Sequence, residues 1–322
     1  MSATGLTFGI YPLSAAGTPL GLATGPQDDY ERISLAMREL GGGKRLAPRV
    51  YLIYYGPESQ EKNFALADRY RQAGLLGDLV IGCMQEKEID LDGWRGFVRE
   101  VVRRYGPILT SLQVTNEPNL SFMEGSKSYV WRALIEGMTA AKAEARTLSL
   151  SLSVGFGSVP ESPMAVSRFW ERLAEMGGMA FAEAVDFVGH NFYVDVFEDE
   201  PLDIKEVPDA VEQTLRDLRK RLLAMGIAAP IRVTENGWPT GRNPLTGLLR
   251  PYERQTEMLE TVIRTVYRLR GELNITHYLL FGLRDADSAN EELFHQYGIM
   301  RDDYTPKPAY YTFQNLIEKL GA

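Results

Sequence analysis

Two hydrophobic rhythms alternate along the chain. Short apolar or alternating runs at 6–11, 49–55, 78–84, 148–156, 185–193, 231–235 and 276–283 have the length and β-branched content of strands, and so does Ser111-Leu112-Gln113-Val114-Thr115. Between them, apolar residues recur at helical spacing: Ile33, Ala36, Met37 and Leu40; Trp94, Phe97, Val98 and Val101; Val130, Leu134, Ile135 and Met138; Val211, Leu215, Leu218 and Leu222; Leu259, Val262, Ile263, Val266 and Leu269. Helices over 63–73, 165–176 and 309–320 complete the set. Asp28 and Asp29 cap the first helix, Gly41-Gly42-Gly43 ends it, Gly74 stops the second, and Ser126 opens the fourth.

Eight strands, each followed by a helix, predict an α/β fold: a single (β/α)8 TIM barrel over 1–322. An open doubly wound sheet would carry a glycine-rich phosphate loop after its first strand, and Tyr11-Pro12-Leu13-Ser14-Ala15 is not one. The long segment 13–26 is too broken by Gly and Pro for a helix, and barrels keep their function in the loops after strands.

Composition narrows the chemistry. With 322 residues, 44% of them apolar, the chain can bury a large core, while a net charge of -8 argues against a nucleic-acid partner. The single cysteine, Cys83, sits in an apolar run and leaves neither a disulfide nor a thiolate metal cluster to build. His190, His277 and His295 lack metal-ligand spacing, so neither metal nor cofactor is expected. No run is long enough to cross a bilayer, and the first five residues show no export signal, so no membrane partner and a cytoplasmic location are expected.

Two glutamates stand out, each delivered by a short apolar strand. Glu117 lies in Thr115-Asn116-Glu117-Pro118-Asn119, where the proline favours extended backbone and is expected to keep Glu117 in line with its strand. Glu235 lies in Thr234-Glu235-Asn236-Gly237-Trp238-Pro239. Paired glutamates at strand ends are what glycosidic bond cleavage needs.

With those motifs ending the fourth and seventh strands, the chain resembles the clan A glycoside hydrolases, retaining (β/α)8 enzymes with one glutamate after each of those strands. The resemblance implies that Glu117 is the acid/base and Glu235 the nucleophile, on a β-glycoside or oligosaccharide. Two carboxyls close enough to share one sugar cannot readily both ionise, and the clan pattern puts the proton on Glu117. His190-Asn191-Phe192-Tyr193, ending the sixth strand, and Thr305-Pro306-Lys307-Pro308, leading into the last helix, agree with the resemblance. The chain departs from it twice: Arg49 is at the wrong end of the second strand for the arginine many members carry, and Phe281 stands where many place a tryptophan.

Further residues are expected around substrate. Asn116 suits a sugar 2-hydroxyl, with an Asx turn as its structural alternative. Tyr193 is expected to donate to Glu235, and His190 to face the same cavity, although strand alternation admits only one of the two without a bulge. Trp238 offers either a stacking platform or plain packing, and Asn236 and Gly237 shape the turn. Asp285, with Arg284 and Asp287, either binds hydroxyls or forms an ion pair that fixes its loop; Tyr54, Tyr55, Gln85 and Glu86 are rim positions. Transfer to another sugar by the same glutamate pair, a transglycosylase, is an alternative to hydrolysis, and two other classes compete: a catalytically silent carbohydrate-binding barrel, and a metal-assisted aldolase or enolase-like barrel. The latter wants a strand-end lysine or three metal carboxylates, and these strand ends carry neither.

Overall fold

The computed structural model describes residues 5–18, 21–86, 88–198, 200–243 and 246–322. Residues 1–4 of the stretch read for an export signal, and 19–20 of the long first loop, lie outside the described residues. In chain order the elements are β1 Thr7–Tyr11, β2 Ala16–Thr18, β3 Gly21–Ala23, α1 Tyr30–Gly41, β4 Ala47–Tyr54, α2 Gln60–Gln72, β5 Asp78–Cys83, α3 Leu91–Tyr105, β6 Ser111–Val114 and α4 Val130–Thr147. They continue with β7 Ser153–Phe156, α5 Phe169–Ala184, β8 Phe187–Asn191, α6 Val207–Ala224, β9 Ile231–Asn236, β10 Gly241–Arg242, β11 Leu249–Arg250, α7 Tyr252–Leu269, β12 Ile275–Phe281 and α8 Pro308–Leu320. Among the described residues, eight strands pair in the order β1-β12-β9-β8-β7-β6-β5-β4, a closed parallel barrel with eight helices, which is the (β/α)8 fold.

By internal packing the chain forms two compact units, one of residues 1–48, 192–216 and 233–322, the other of 49–191 and 217–232. In the second, β4 to β8 pair in sequence order, with Arg49 aligned on Asp78 and Asp78 on Ser111. Arg49 is fully buried at the amino end of β4, where it donates to Asp78 at 2.5 Å and to Gln113 at 2.9 Å. Charge burial of that kind needs complete pairing, so Arg49 is structural. Helices α3 and α4 pack on each other, and the buried Trp94 indole donates to the Ala133 carbonyl at 2.9 Å. A side chain at Gly137 would meet Val114 at 2.7 Å, so glycine lets α4 lie directly on β6, the strand that leads to Glu117.

In the first unit, β1 pairs with β12 along its whole length and with β4 at Gly9 and Ile10. The Asp29 carboxylate caps α1 by accepting from Glu31 and Arg32 N–H, and Gly42 ends that helix in the left-handed region at φ 55, as the sequence predicts, whereas Asp28, also expected to cap, accepts from Ser14 N–H and pairs with Arg284. The long first loop is not irregular throughout: β2 and β3 form an antiparallel hairpin whose Ala16 and Ala23 pack with Ala286, and against these lie Phe281 and Phe294.

Several boundaries move. The fifth strand begins at Ser153 rather than 148, because α4 runs to Thr147 and Ser149 turns the chain at φ 54, with Leu150 N–H returning to the Ala145 carbonyl. The fourth helix begins at Val130 rather than Ser126, after a short 3-10 turn at Glu124–Ser126. Helix α5 covers Phe169–Ala184, later than 165–176, and breaks its helical backbone at Gly178.

Candidate active site

The Glu117 environment belongs to the second unit. β6 ends at Val114, Thr115 takes a left-handed φ of 66, and Asn116 and Glu117 lie in a bend. The expectation that Glu117 continues the strand therefore fails. The cause is local: the buried Glu124 carboxylate accepts from Asn116 N–H at 2.8 Å and from Glu117 N–H at 2.7 Å, pulling the backbone off the strand axis. Charge-assisted bonds to two consecutive N–H groups offset the strain of a left-handed threonine.

Asn191, at the end of β8, donates to Glu117 Oε1 at 3.1 Å and to Asn116 Oδ1 at 3.2 Å. One amide thus orients both residues. Asn116 Nδ2 makes no hydrogen bond to any described residue, which leaves a donor for a ligand. The Asn119 side chain is bound to both backbone groups of Val159 and ties this bend to the loop after β7. There a side chain at Gly157 would come within 2.0 Å of the Asn116 carbonyl, so only glycine allows that approach.

Since the Glu124 clamp sets the backbone that carries Glu117, Glu124→Gln places an amide N–H2 against a backbone N–H. Steady-state kinetics should show kcat/KM lower by about 10²-fold, the usual cost of a displacement near 1 Å. Unchanged kinetics would show that the clamp does not position the carboxyl.

The Glu235 environment belongs to the first unit. Glu235 is 6% exposed near the end of β9, and the Tyr193 hydroxyl donates to its Oε2 at 2.9 Å. Phe192 N–H donates to the Glu235 carbonyl at 3.0 Å, while the Asn236 amide donates to the Phe192 carbonyl at 2.8 Å and accepts from Tyr278 at 2.6 Å. The Tyr193 ring sits edge-on to Phe281, Tyr297 and Phe197. Phe281 in turn stacks on Tyr11 with centroids 4.8 Å apart.

Other predicted site residues go elsewhere. His190 is 2% exposed and its Nδ1 lies 2.9 Å from Ser158 Oγ. Ser158 donates its only proton to the Gly189 carbonyl, so His190 carries its proton on Nδ1. Burial pushes this imidazole down to about 3, keeping it neutral at working pH. Of the two candidates, Tyr193 reaches Glu235 and His190 turns into the core.

Tyr54 is fully buried against Trp94 and Phe97, and burial pushes its phenol up to about 12. A side chain so enclosed touches no substrate. Asp285 is likewise fully buried, in an ion pair with Lys307 at 2.7 Å, so its expected contact with sugar hydroxyls is replaced by loop fixing. Arg284 pairs instead with Asp28 at 3.0 Å and donates to the Pro26 and Asp302 carbonyls. Trp238 takes the packing alternative: its indole donates to the Asp195 carbonyl at 3.0 Å and the Arg250 guanidinium lies 5.0 Å from its ring.

Sequence reading missed Asn191 and Glu124. Asn191 stood inside a motif already singled out, and a polar amide ending an apolar strand was its only signal. Glu124 had none, since nothing in its neighbours predicts that a carboxylate returns to the backbone of residues 116 and 117. Among the described residues, no group of three or more His, Cys, Asp or Glu is placed to hold a metal ion.

Neither a protein-family model nor a curated protein matches the chain. Solved structures do. The β-D-glucuronidase of Dictyoglomus thermophilum superposes with a TM-score of 0.62 at 13% identity, over 99% of this chain and 51% of that one. A family 39 glycoside hydrolase of Bacteroides cellulosilyticus gives 0.61 at 16%, over 99% and 64%. The family 17 β-1,3-glucanosyltransferase of Rhizomucor miehei gives 0.56 at 14%, over 94% and 96%. The chain spans about half the length of the glucuronidase and nearly all of the glucanosyltransferase. At these identities the likeness is one of fold, a (β/α)8 barrel.

Proposed function

We propose that the protein is a retaining glycoside hydrolase acting on a β-glycosidic bond, with Glu117 as acid/base and Glu235 as nucleophile. The observation that carries the reading is that each glutamate, at the carboxyl end of its own barrel strand, accepts from a neutral donor that orients it, Asn191 for Glu117 and Tyr193 for Glu235. Substrate residues at strand ends are the rule in this fold, where catalytic groups come from the ends of several strands.

In the first step Glu117 gives its proton to the glycosidic oxygen while a Glu235 oxygen bonds to the anomeric carbon and the bond to the leaving group breaks. The product is a glycosyl ester on Glu235. Esterification removes the charge of Glu235, so Glu117, now ionised, takes a proton from water as that water attacks the same carbon and releases Glu235. The Asn116 amide binds the sugar 2-hydroxyl, a contact that strengthens as positive charge develops on the ring. Such a mechanism requires the two carboxyls about 5–5.5 Å apart.

Two inversions at one carbon leave its configuration unchanged. Proton NMR of the first-formed sugar, recorded before mutarotation, should show the β anomer from a β-glycoside. The α anomer would identify an inverting enzyme and remove Glu235 as nucleophile.

A further inference from the structure

Beyond Tyr193 the first unit carries an aromatic surface that the two-glutamate chemistry does not use. The Phe197 ring lies 6.1 Å from that of Tyr193, at 68°, and Phe294 stacks on Phe197 at 6.2 Å and 28°. Phe294 is backed by the alanines of the β2–β3 hairpin and Ala286, and by Tyr297 at 6.3 Å. Starting from the Glu235 carboxylate, a continuous row of rings therefore runs Tyr193, Phe197, Phe294.

Phe197 is 51% exposed, on a loop that is otherwise firmly held. Asp195 accepts from Leu202 N–H at 2.7 Å and from Arg254 at 3.1 Å, while Trp238 donates to the Asp195 carbonyl and Arg250 donates to the Val196 carbonyl at 2.7 Å. Burying a phenylalanine side chain stabilises a fold. This loop forgoes part of that while Trp238 and Arg250 fasten its backbone. A lone exposed apolar residue needs no explanation. A stacked pair continuous with the tyrosine on the proposed nucleophile does.

We infer that Phe197 and Phe294 form an aromatic subsite for the pyranose ring next to the one that reacts at Glu235, so that the substrate is an oligosaccharide or polysaccharide. The inference rests on the glycosidase reading for its location. The C–H face of a pyranose is apolar and stacks on aromatic rings such as these.

The test uses calorimetric titration of the full chain carrying Glu117→Gln, which prevents turnover, with gluco-, laminari-, xylo- and manno-oligosaccharides and their monosaccharides. In at least one series the longer sugars should bind more tightly than the monomer, and Phe197→Ala should weaken only the longer ones, by about tenfold, or 1.4 kcal/mol. Phe197→Leu, apolar but without the ring, should lose most of the same affinity; an unchanged melting temperature shows that the fold is intact. No gain with chain length in any series, or a gain that survives Phe197→Ala, overturns the subsite. Chain-length-dependent binding lost in Phe197→Ala, from a parent that hydrolyses no aryl glycoside, would keep the subsite and remove the glycosidase reading. An active parent with no such dependence would do the reverse.

Discussion

Glu235→Gly should reduce turnover of an activated aryl β-glycoside on the order of 10⁴–10⁶-fold, the scale seen when a covalent nucleophile is removed. Glycine removes the side chain that would form the ester and leaves space beside the anomeric carbon. Tyr193 then loses the Oε2 to which it donates, with no change in the barrel strands around it. Azide, small and anionic, should enter that space and restore release of the activated leaving group, giving the α-glycosyl azide after a single inversion. Loss of activity without rescue at any azide concentration would count against Glu235 as nucleophile; Glu235→Gly with near-parent activity would exclude it.

The second large effect concerns stability. Asp285 and Lys307 are both fully buried, and the Asp285 carboxyl also accepts from Gly298 N–H and from Ser288 at 2.9 Å each, while Lys307 also donates to Thr240 at 3.0 Å. Burial pushes the aspartate up and the lysine down, each against the pull of its partner. Asp285→Ala leaves the ammonium without its counter-charge, and breaking a buried pair in that way costs about 3–5 kcal/mol. For a chain of this length the melting temperature should fall by about 4–8 °C.

Lys307→Met should behave differently with pH. Its buried carboxyl, already raised and now without the cation that lowered it, binds a proton in the folded state at a pH where the unfolded chain has released it. Stability of Lys307→Met is therefore present at low pH and lost as pH rises through the raised folded value, and its deficit against the parent should be larger at pH 8 than at pH 5. Equal deficits at both pH values would show that Asp285 is not the titrating group.

The fold was legible because each strand and helix announced its own period, and because closing a barrel needs only that alternation. The site was legible to the depth of the two motifs. Proline after Glu117 gave the wrong direction, since its preference for extended backbone is small beside the two bonds from Glu124 to the residues it turns. Strand parity set Tyr193 and His190 apart without saying which of them reaches Glu235, whereas Tyr54 and Asp285 stood at strand ends and looked like rim residues until their burial was seen. Lys307 lay in a motif read as the start of the last helix, and nothing local shows that its ammonium reaches Asp285. The ring row through Phe197 depends on loops, which carry no period, and on contacts between residues remote in sequence.

The central claim is that Glu235 bonds to sugar carbon, and mechanism-based trapping tests it most directly. Incubation with a panel of 2-deoxy-2-fluoro β-glycosides bearing a good leaving group should inactivate the enzyme with one sugar per chain, and peptide mapping by mass spectrometry should find that sugar esterified to Glu235. A label on any other residue, or steady release of fluorosugar as the α anomer with no covalent adduct, would contradict the assignment.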